Sequence, residues 1–98
     1  MARVYILKCS DASYYTGSTV DLDKRIAEHQ DGTYGGWTAH RRPVELVFSH
    51  EVPTKNEAFV LEHQIKGWSR AKKEALIAGD FELLRTLARR RSRVAAND

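Results

Sequence analysis

Hydrophobic and polar positions change their period several times along this chain, and each change predicts an element. Residues 3–9, RVYILKC, and 13–17, SYYTG, are rich in β-branched and aromatic side chains and flank the turn-like SDA. That arrangement predicts a β-hairpin. Asp21 is a helix-capping residue, and Leu22, Ile26 and His29 then recur on one stripe, so a helix should run to about Gln30. The stretch DGTYGGW at 31–37 carries three glycines and reads as a mobile loop. Pro43 precedes VELVFSHEV, whose alternation puts Val44, Leu46 and Phe48 on one face of a third strand ended by Pro53. Thr54 with Glu57 three residues on is a capping-box pattern that opens a helix over about 55–68. Ser69 caps a further helix through Ile77, Gly79 stops it, and Asp80 caps a last helix from Phe81. The order ββαβ followed by helices predicts an α+β fold, a small three-stranded antiparallel sheet flanked by helices.

The hairpin register decides which side chains work together. Side chains alternate faces along a strand. A turn of three or five residues sets Tyr5 opposite Gly17 and Tyr15 opposite Leu7, with both phenols on one face and open space over Tyr5. A turn of two or four residues would put the phenols on opposite faces. On the first helix, with Leu22 at zero, Ile26 lies at about 40°, His29 at about −20° and Arg25 at about −60°. Arg25 and His29 are therefore i,i+4 neighbours at the margin of the buried stripe. In the second long helix Ala58, Leu61 and Ile65 form the stripe, and Glu62 lies in or beside it. A carboxylate there is costly unless it is paired or holds a cation. A structural Glu62–Arg25 ion pair and a metal ligand are both consistent with that placement.

Composition narrows the class. The chain has 98 residues, enough for one domain, with 42% apolar and 30% charged residues. No apolar run approaches the ~20 residues of a membrane-spanning helix, and Lys8 breaks the only apolar run near the N-terminus, so no secretory signal is expected. Cys9 is the only cysteine, which excludes an intrachain disulfide and fits a small buried residue. A cytoplasmic protein is the expectation. The net charge is +3, and the excess sits in the tail, where Arg85, Arg89, Arg90, Arg91 and Arg93 face only Glu82 and Asp98. Such a cluster attracts phosphate backbones, although cations at a helix end also suit the helix dipole.

VYI at 4–6, YTG at 15–17, Arg25 with His29 four on, and Glu62 on a later helix together resemble the GIY-YIG nuclease domain. The stretch EHQIKGWSRAKKEALI (62–77) is similar to its small stand-alone bacterial members. The resemblance covers about residues 3–78. Val4 stands where the name motif has its first Gly, and Thr16 where it has its second Ile; both changes spare the tyrosines and Gly17. Ser18 stands where some repair-type members carry a lysine.

The resemblance implies a metal-dependent endonuclease that hydrolyses phosphodiester bonds in DNA. It implies Glu62 as the ligand of a single Mg²⁺ or Mn²⁺, Arg25 on a phosphate oxygen, and Tyr5 or His29 as the general base. It further implies Tyr15 as a hydrogen-bonding wall of the phosphate pocket and Gly17 as the residue permitting a close turn into the helix. Residues 1–80 would be the nuclease domain and 81–98 a C-terminal helix and basic tail of the same domain. Trp37 is a candidate for base stacking, and Thr38, Arg41 and Arg42 for backbone contacts. Lys66, Arg70, Lys72, Lys73, Arg89, Arg90 and Arg91 would extend a basic surface. Single-stranded, branched and duplex DNA stay open as substrates, as do RNA and a role in repair, recombination or processing; no membrane partner is implied, and a monomer is the default. The alternatives are a nucleic-acid-binding module of the same fold without turnover, and a structural domain built around the Arg25–Glu62 pair.

Overall fold

The computed structural model describes residues 1–88. The chain divides into two compact units, Met1–Lys66 and a second that begins at Gly67. The first holds β1 (Ala2–Lys8), β2 (Tyr14–Thr19), α1 (Leu22–Asp31), a short 3₁₀ helix (Gly36–His40), β3 (Glu45–Val52) and α2 (Lys55–Lys66). The second holds α3 (Arg70–Ala78) and a helix starting at 81. The α+β expectation holds: β1 lies between β2 and β3 in one antiparallel sheet, and helices flank it.

The hairpin takes the odd turn. Lys8 pairs with Tyr14, leaving five residues in the turn, and Tyr5 pairs with Gly17 while Leu7 pairs with Tyr15. Ala12 takes the left-handed conformation there (φ 68°), and the Asp11 carboxylate accepts the Ser13 N–H at 3.0 Å. Gly17 therefore lies inside β2, not at a turn into α1, which corrects the role expected of it. What requires glycine is close approach: a Cβ at this position would lie 2.6 Å from Cζ of Tyr5 and meet its hydroxyl.

Alternation along β1 gives the sheet two chemically distinct faces. Tyr5, Leu7 and Cys9 share one face and form a buried cluster with Val44, against which Tyr15, Leu22 and Ile26 pack. This face receives α1. Ala2, Val4 and Ile6 share the other face, all buried, with Thr16 paired to Ile6 and Ser18 to Val4. Ser18 bonds to Glu62, and α2 turns the buried Ala58, Glu62 and Ile65 inward, so α2 covers this second face. The Thr16 hydroxyl is buried there with no hydrogen-bond partner among the described residues.

Three expectations need correction. Val44, Leu46 and Phe48 do not share a face. Ile6 pairs with Phe48 but Leu7 pairs with Leu46, so β3 carries an extra residue, Val47, at a bulge that breaks the alternation. The glycine-rich segment is not simply a loop. Gly35 and Gly36, both at positive φ, reverse the chain into the 3₁₀ helix that buries Thr38. And α2 stops at Lys66, two residues early.

The caps form as the sequence predicts. Asp21 accepts the Lys24 N–H at 3.2 Å, Thr54 the Glu57 N–H at 3.2 Å and Ser69 the Lys72 N–H at 3.2 Å. Gly79 ends α3 in the left-handed region, and Asp80 accepts the Leu83 N–H at 3.0 Å.

Candidate active site

The site grows from the edge strand β2 and the helix on each side of it. On the Tyr5 face, the buried stripe of α1 ends in His29, which is fully buried. Its Nε2 lies 3.0 Å from the Tyr5 hydroxyl and its Nδ1 2.8 Å from the Thr38 hydroxyl. Both ring nitrogens are thus satisfied, so an imidazole can sit where an aliphatic side chain would otherwise pack. With the proton on Nδ1 donated to Thr38, Nε2 accepts the Tyr5 O–H, and the three residues form one directed chain. Around it stand more rings: Tyr15 is 5.1 Å from His29 and Tyr34 is 4.3 Å from it, and Trp37 stacks on Tyr15 at 6.2 Å.

Arg25 occupies the rim of this cluster. Its guanidinium donates to the Ser18 carbonyl at 3.3 Å, pairs with Glu28 at 3.5 Å and lies 4.7 Å from the centre of the Tyr34 ring. From the opposite side of the sheet, Glu62 reaches the same stretch of β2. One carboxylate oxygen accepts the Ser18 hydroxyl at 2.5 Å, and the other meets the Lys66 ammonium at 2.6 Å. Glu62 is more deeply buried than Leu61 beside it, which the sequence had counted in the stripe. Among the described residues, the Arg25–Glu62 ion pair considered from sequence is replaced by Arg25–Glu28 and Glu62–Lys66. Ser18 joins the two halves, its carbonyl to Arg25 and its hydroxyl to Glu62.

The environment sets the protonation states. Burial pushes the Tyr5 phenol up to about 12, against the opposing pull of Arg25. Burial also raises Tyr15, reinforced by the Tyr34 hydroxyl. His29 is lowered from the usual imidazole value, first by burial and then by the Arg25 charge. At neutral pH the site therefore holds a neutral imidazole and two protonated phenols, beside the ion pairs Arg25–Glu28 and Glu62–Lys66.

Among the described residues no group of three or more His, Cys, Asp or Glu side chains could hold a metal ion. The donor set still fits one kind of ion. Glu62 is a buried carboxylate already paired with a cation, the Lys66 ammonium. Magnesium commonly takes one or two protein carboxylates, keeps several waters and completes its shell with substrate phosphate. Glu62 is therefore the one carboxylate among these site residues placed to contribute to such a shell, and it is now occupied by Lys66.

The other candidates scatter. Trp37 is 42% exposed, but Arg41 lies over its ring at 3.9 Å while also bonding to Asp11 and the Trp37 carbonyl. Arg42 bonds to the Ala39 and Gln30 carbonyls. Thr38 is buried and spends its hydroxyl on His29, which corrects the surface contact expected of it. In the second unit Lys72 is also buried, with its ammonium 4.4 Å from the Trp68 ring centre, instead of extending a basic surface. Arg70 pairs with Glu74, and Lys73 is half-buried. Arg89, Arg90 and Arg91 lie outside the described residues. Sequence reasoning missed Tyr34 and Ser18 as members of the site, and while Lys66 is exposed as expected, its pairing with Glu62 was not foreseen. Only Lys66 carried a signal, its i,i+4 spacing from Glu62.

Residues 1–75 match the family model described as the GIY-YIG catalytic domain. A UPF0213 protein of the archaeon Natronomonas pharaonis is 46% identical over 79% of this chain and 91% of its own length. UPF0213 protein YazA of Bacillus subtilis is 47% identical over 74% of each. Two solution NMR structures share the fold: the UPF0213 protein BH0048 from Bacillus halodurans (TM-score 0.52, 44% identity, 80% of this chain and 84% of that one) and EF2693 from E. faecalis (TM-score 0.56, 35%, 83% and 85%). The small relatives thus occur in archaea as well as bacteria.

Proposed function

The chain belongs to the GIY-YIG catalytic domain family, a nuclease family, and on that premise we propose that it is a metal-dependent endonuclease hydrolysing phosphodiester bonds in DNA. The observation that carries the reading is the convergence of the Tyr5–His29 pair, Arg25 and Glu62 on one stretch of the edge strand β2. Single-stranded or branched DNA with little sequence specificity is the proposed substrate, a role in DNA repair, recombination or processing the proposed setting, and a cytoplasmic monomer the proposed state. Among the described residues no helix is long and apolar enough to cross a membrane. Residues 1–80 are proposed as the nuclease domain, with 81–98 as a helix and basic tail of the same domain.

The proton pathway follows from the protonation states. A phenol raised to about 12 is a poor base by itself. A neutral imidazole at hydrogen-bond distance changes that: as the Tyr5 oxygen takes a proton from the attacking water, its own proton passes to His29 Nε2. The water oxygen forms the new bond to phosphorus, and the bond to the 3′ oxygen breaks. Thr38 holds the His29 ring in place through Nδ1 and can accept its N–H in the tautomer this transfer needs. Arg25 holds a non-bridging phosphate oxygen as negative charge builds on it, and Tyr15 walls the pocket. Glu62 would hold one Mg²⁺ or Mn²⁺, which when bound stabilises the leaving oxygen as a Lewis acid.

The test is a denaturing gel of single-stranded, duplex and branched DNA incubated with wild type or Glu62→Ala, in Mg²⁺, Mn²⁺ or EDTA. Metal-dependent cutting by the wild type alone is expected. DNA binding by folded wild type without cutting under any condition would move the chain to the non-catalytic binding module.

A further inference from the structure

A cleft of about 480 Å³ opens beside the site, on the flank of Arg25 away from the aromatic cluster. Ser18 and Arg25 belong to both, so the cleft is continuous with the phosphate grip. Its other wall is the first turn of α2, with Lys55, Asn56 and Phe59, and Val20 stands at the end of β2. Of its nine lining residues, two are cations and none is acidic. Its volume falls in the roughly 300–1,000 Å³ range of small-ligand sites.

Phe59 sets the chemistry. It is 56% exposed on a helix whose buried face is already supplied by Ala58, Glu62 and Ile65. Its ring is backed by His63 at 4.0 Å between centroids, and His63 in turn bonds to the Phe59 carbonyl. The phenyl is thereby held at the cleft without being covered. An exposed aromatic in one cleft with two cations and an amide matches a nucleotide: a base for the ring, phosphates for Arg25 and Lys55, and a base edge for Asn56.

We propose that this cleft is a subsite for one unpaired nucleotide flanking the bond to be cut, its base stacked on Phe59 and its phosphate held by Lys55. Only the position of this nucleotide beside the cut bond rests on the nuclease reading; the cleft's own chemistry asks for a nucleotide. A base inside a duplex keeps its faces on its neighbours, so the subsite admits strands that are unpaired at that position.

The experiment maps backbone amide shifts of the full chain on titration with a single-stranded hexathymidylate, without metal, in wild type, Phe59→Ala and Lys55→Ala. Both substituted side chains are exposed, and melting curves check that the variants fold. Shifts at Val20, Lys55, Asn56 and Phe59 are expected, with affinity about tenfold weaker in Phe59→Ala, the loss of one stacked base. Lys55→Ala should reduce the salt slope of binding by about 0.7, one phosphate contact on a single strand. An abasic residue at one position of the strand should weaken wild-type binding by the same factor and leave Phe59→Ala unaffected. Shifts confined to the Tyr5–His29 side, or wild-type affinity in Phe59→Ala, would overturn the subsite and leave the nuclease standing. Cleft shifts in a protein that cuts no DNA would keep the subsite and overturn the nuclease. No shift anywhere would overturn the subsite.

Discussion

The two faces of the sheet are made from the same strand and do different work. On the Val4 face β1 contributes Ala2, Val4 and Ile6, all buried aliphatic side chains, against the buried Ala58 and Ile65 of α2. On the Tyr5 face the equally buried positions hold a phenol hydrogen-bonded to an imidazole, itself bonded to a hydroxyl. Each polar group of that chain has a partner, so its burial costs little beyond what an aliphatic core would. The Thr16 hydroxyl, buried on the Val4 face, has no hydrogen-bond partner among the described residues, although Ser18 and Glu62 bond to each other on that same face. The difference is one of completeness: polarity on the Tyr5 face is a finished hydrogen-bond chain, whereas on the Val4 face the satisfied Ser18–Glu62 pair stands beside an unpartnered Thr16 hydroxyl.

Substitutions that cross the comparison should separate the faces. Gly17→Ala should have the largest effect. The new Cβ drives into a buried Tyr5 ring that cannot yield without losing His29. We expect about 1–3 kcal/mol of destabilisation in denaturant melts and, in the folded fraction, cleavage slower on the order of 10²-fold through misplacement of the phenol. Ile6→Val, next to Tyr5 but on the opposite face, should cost about 0.5–1.5 kcal/mol and leave the cleavage rate of the folded protein unchanged. Equal loss of rate in both variants would erase the distinction between the faces.

The Tyr5 face should also announce itself in mild acid. His29 titrates below its unfolded value because burial and Arg25 oppose its charge. Above about pH 6.5 it is neutral in both states and stability is flat. Below that pH the unfolded chain binds a proton that the folded chain does not until its own lower pKa is reached, so stability falls across that window. Urea melts between pH 7.5 and 5 should show this slope, and His29→Asn should lose it. The smallest effect is expected on the other face: Thr16→Val removes an unpartnered hydroxyl and should raise stability by about 1 kcal/mol, with cleavage unchanged. A loss of stability would mean that the hydroxyl has a partner after all.

Which parts of this were legible in the sequence follows from how local each signal is. Period-2 alternation reduced the placement of Tyr5, Tyr15 and Gly17 to one question, an odd or an even turn, which the structure answers as odd, and the period-3.6 stripe put His29 in the buried arc and Glu62 in or beside it. These are properties of a single element or of one hairpin. Thr38 reaches His29 only because two glycines at positive φ fold the 3₁₀ helix back onto α1, and no periodicity encodes that reversal. Ser18 and Glu62 meet across 44 residues, and the pairing depends on how α2 lies over the sheet. The same crossing decides that Glu62 pairs with Lys66 and not with Arg25. The bulge at Val47 was hidden because a one-residue insertion leaves the local alternation looking intact while reversing faces beyond it. Lys72 shows the converse error: charge alone suggested the surface, but its stem and ammonium lie along Trp68.

If Tyr5 activates the attacking water while its own proton passes to His29, cleavage depends on the Tyr5 hydroxyl and not on its ring. Single-turnover cleavage of single-stranded DNA by Tyr5→Phe tests it most directly, because the ring and its packing stay and only the hydroxyl goes. The account predicts a rate lower by about 10²–10⁴-fold, with a melting transition still cooperative. A folded Tyr5→Phe that cuts at the wild-type rate would contradict it.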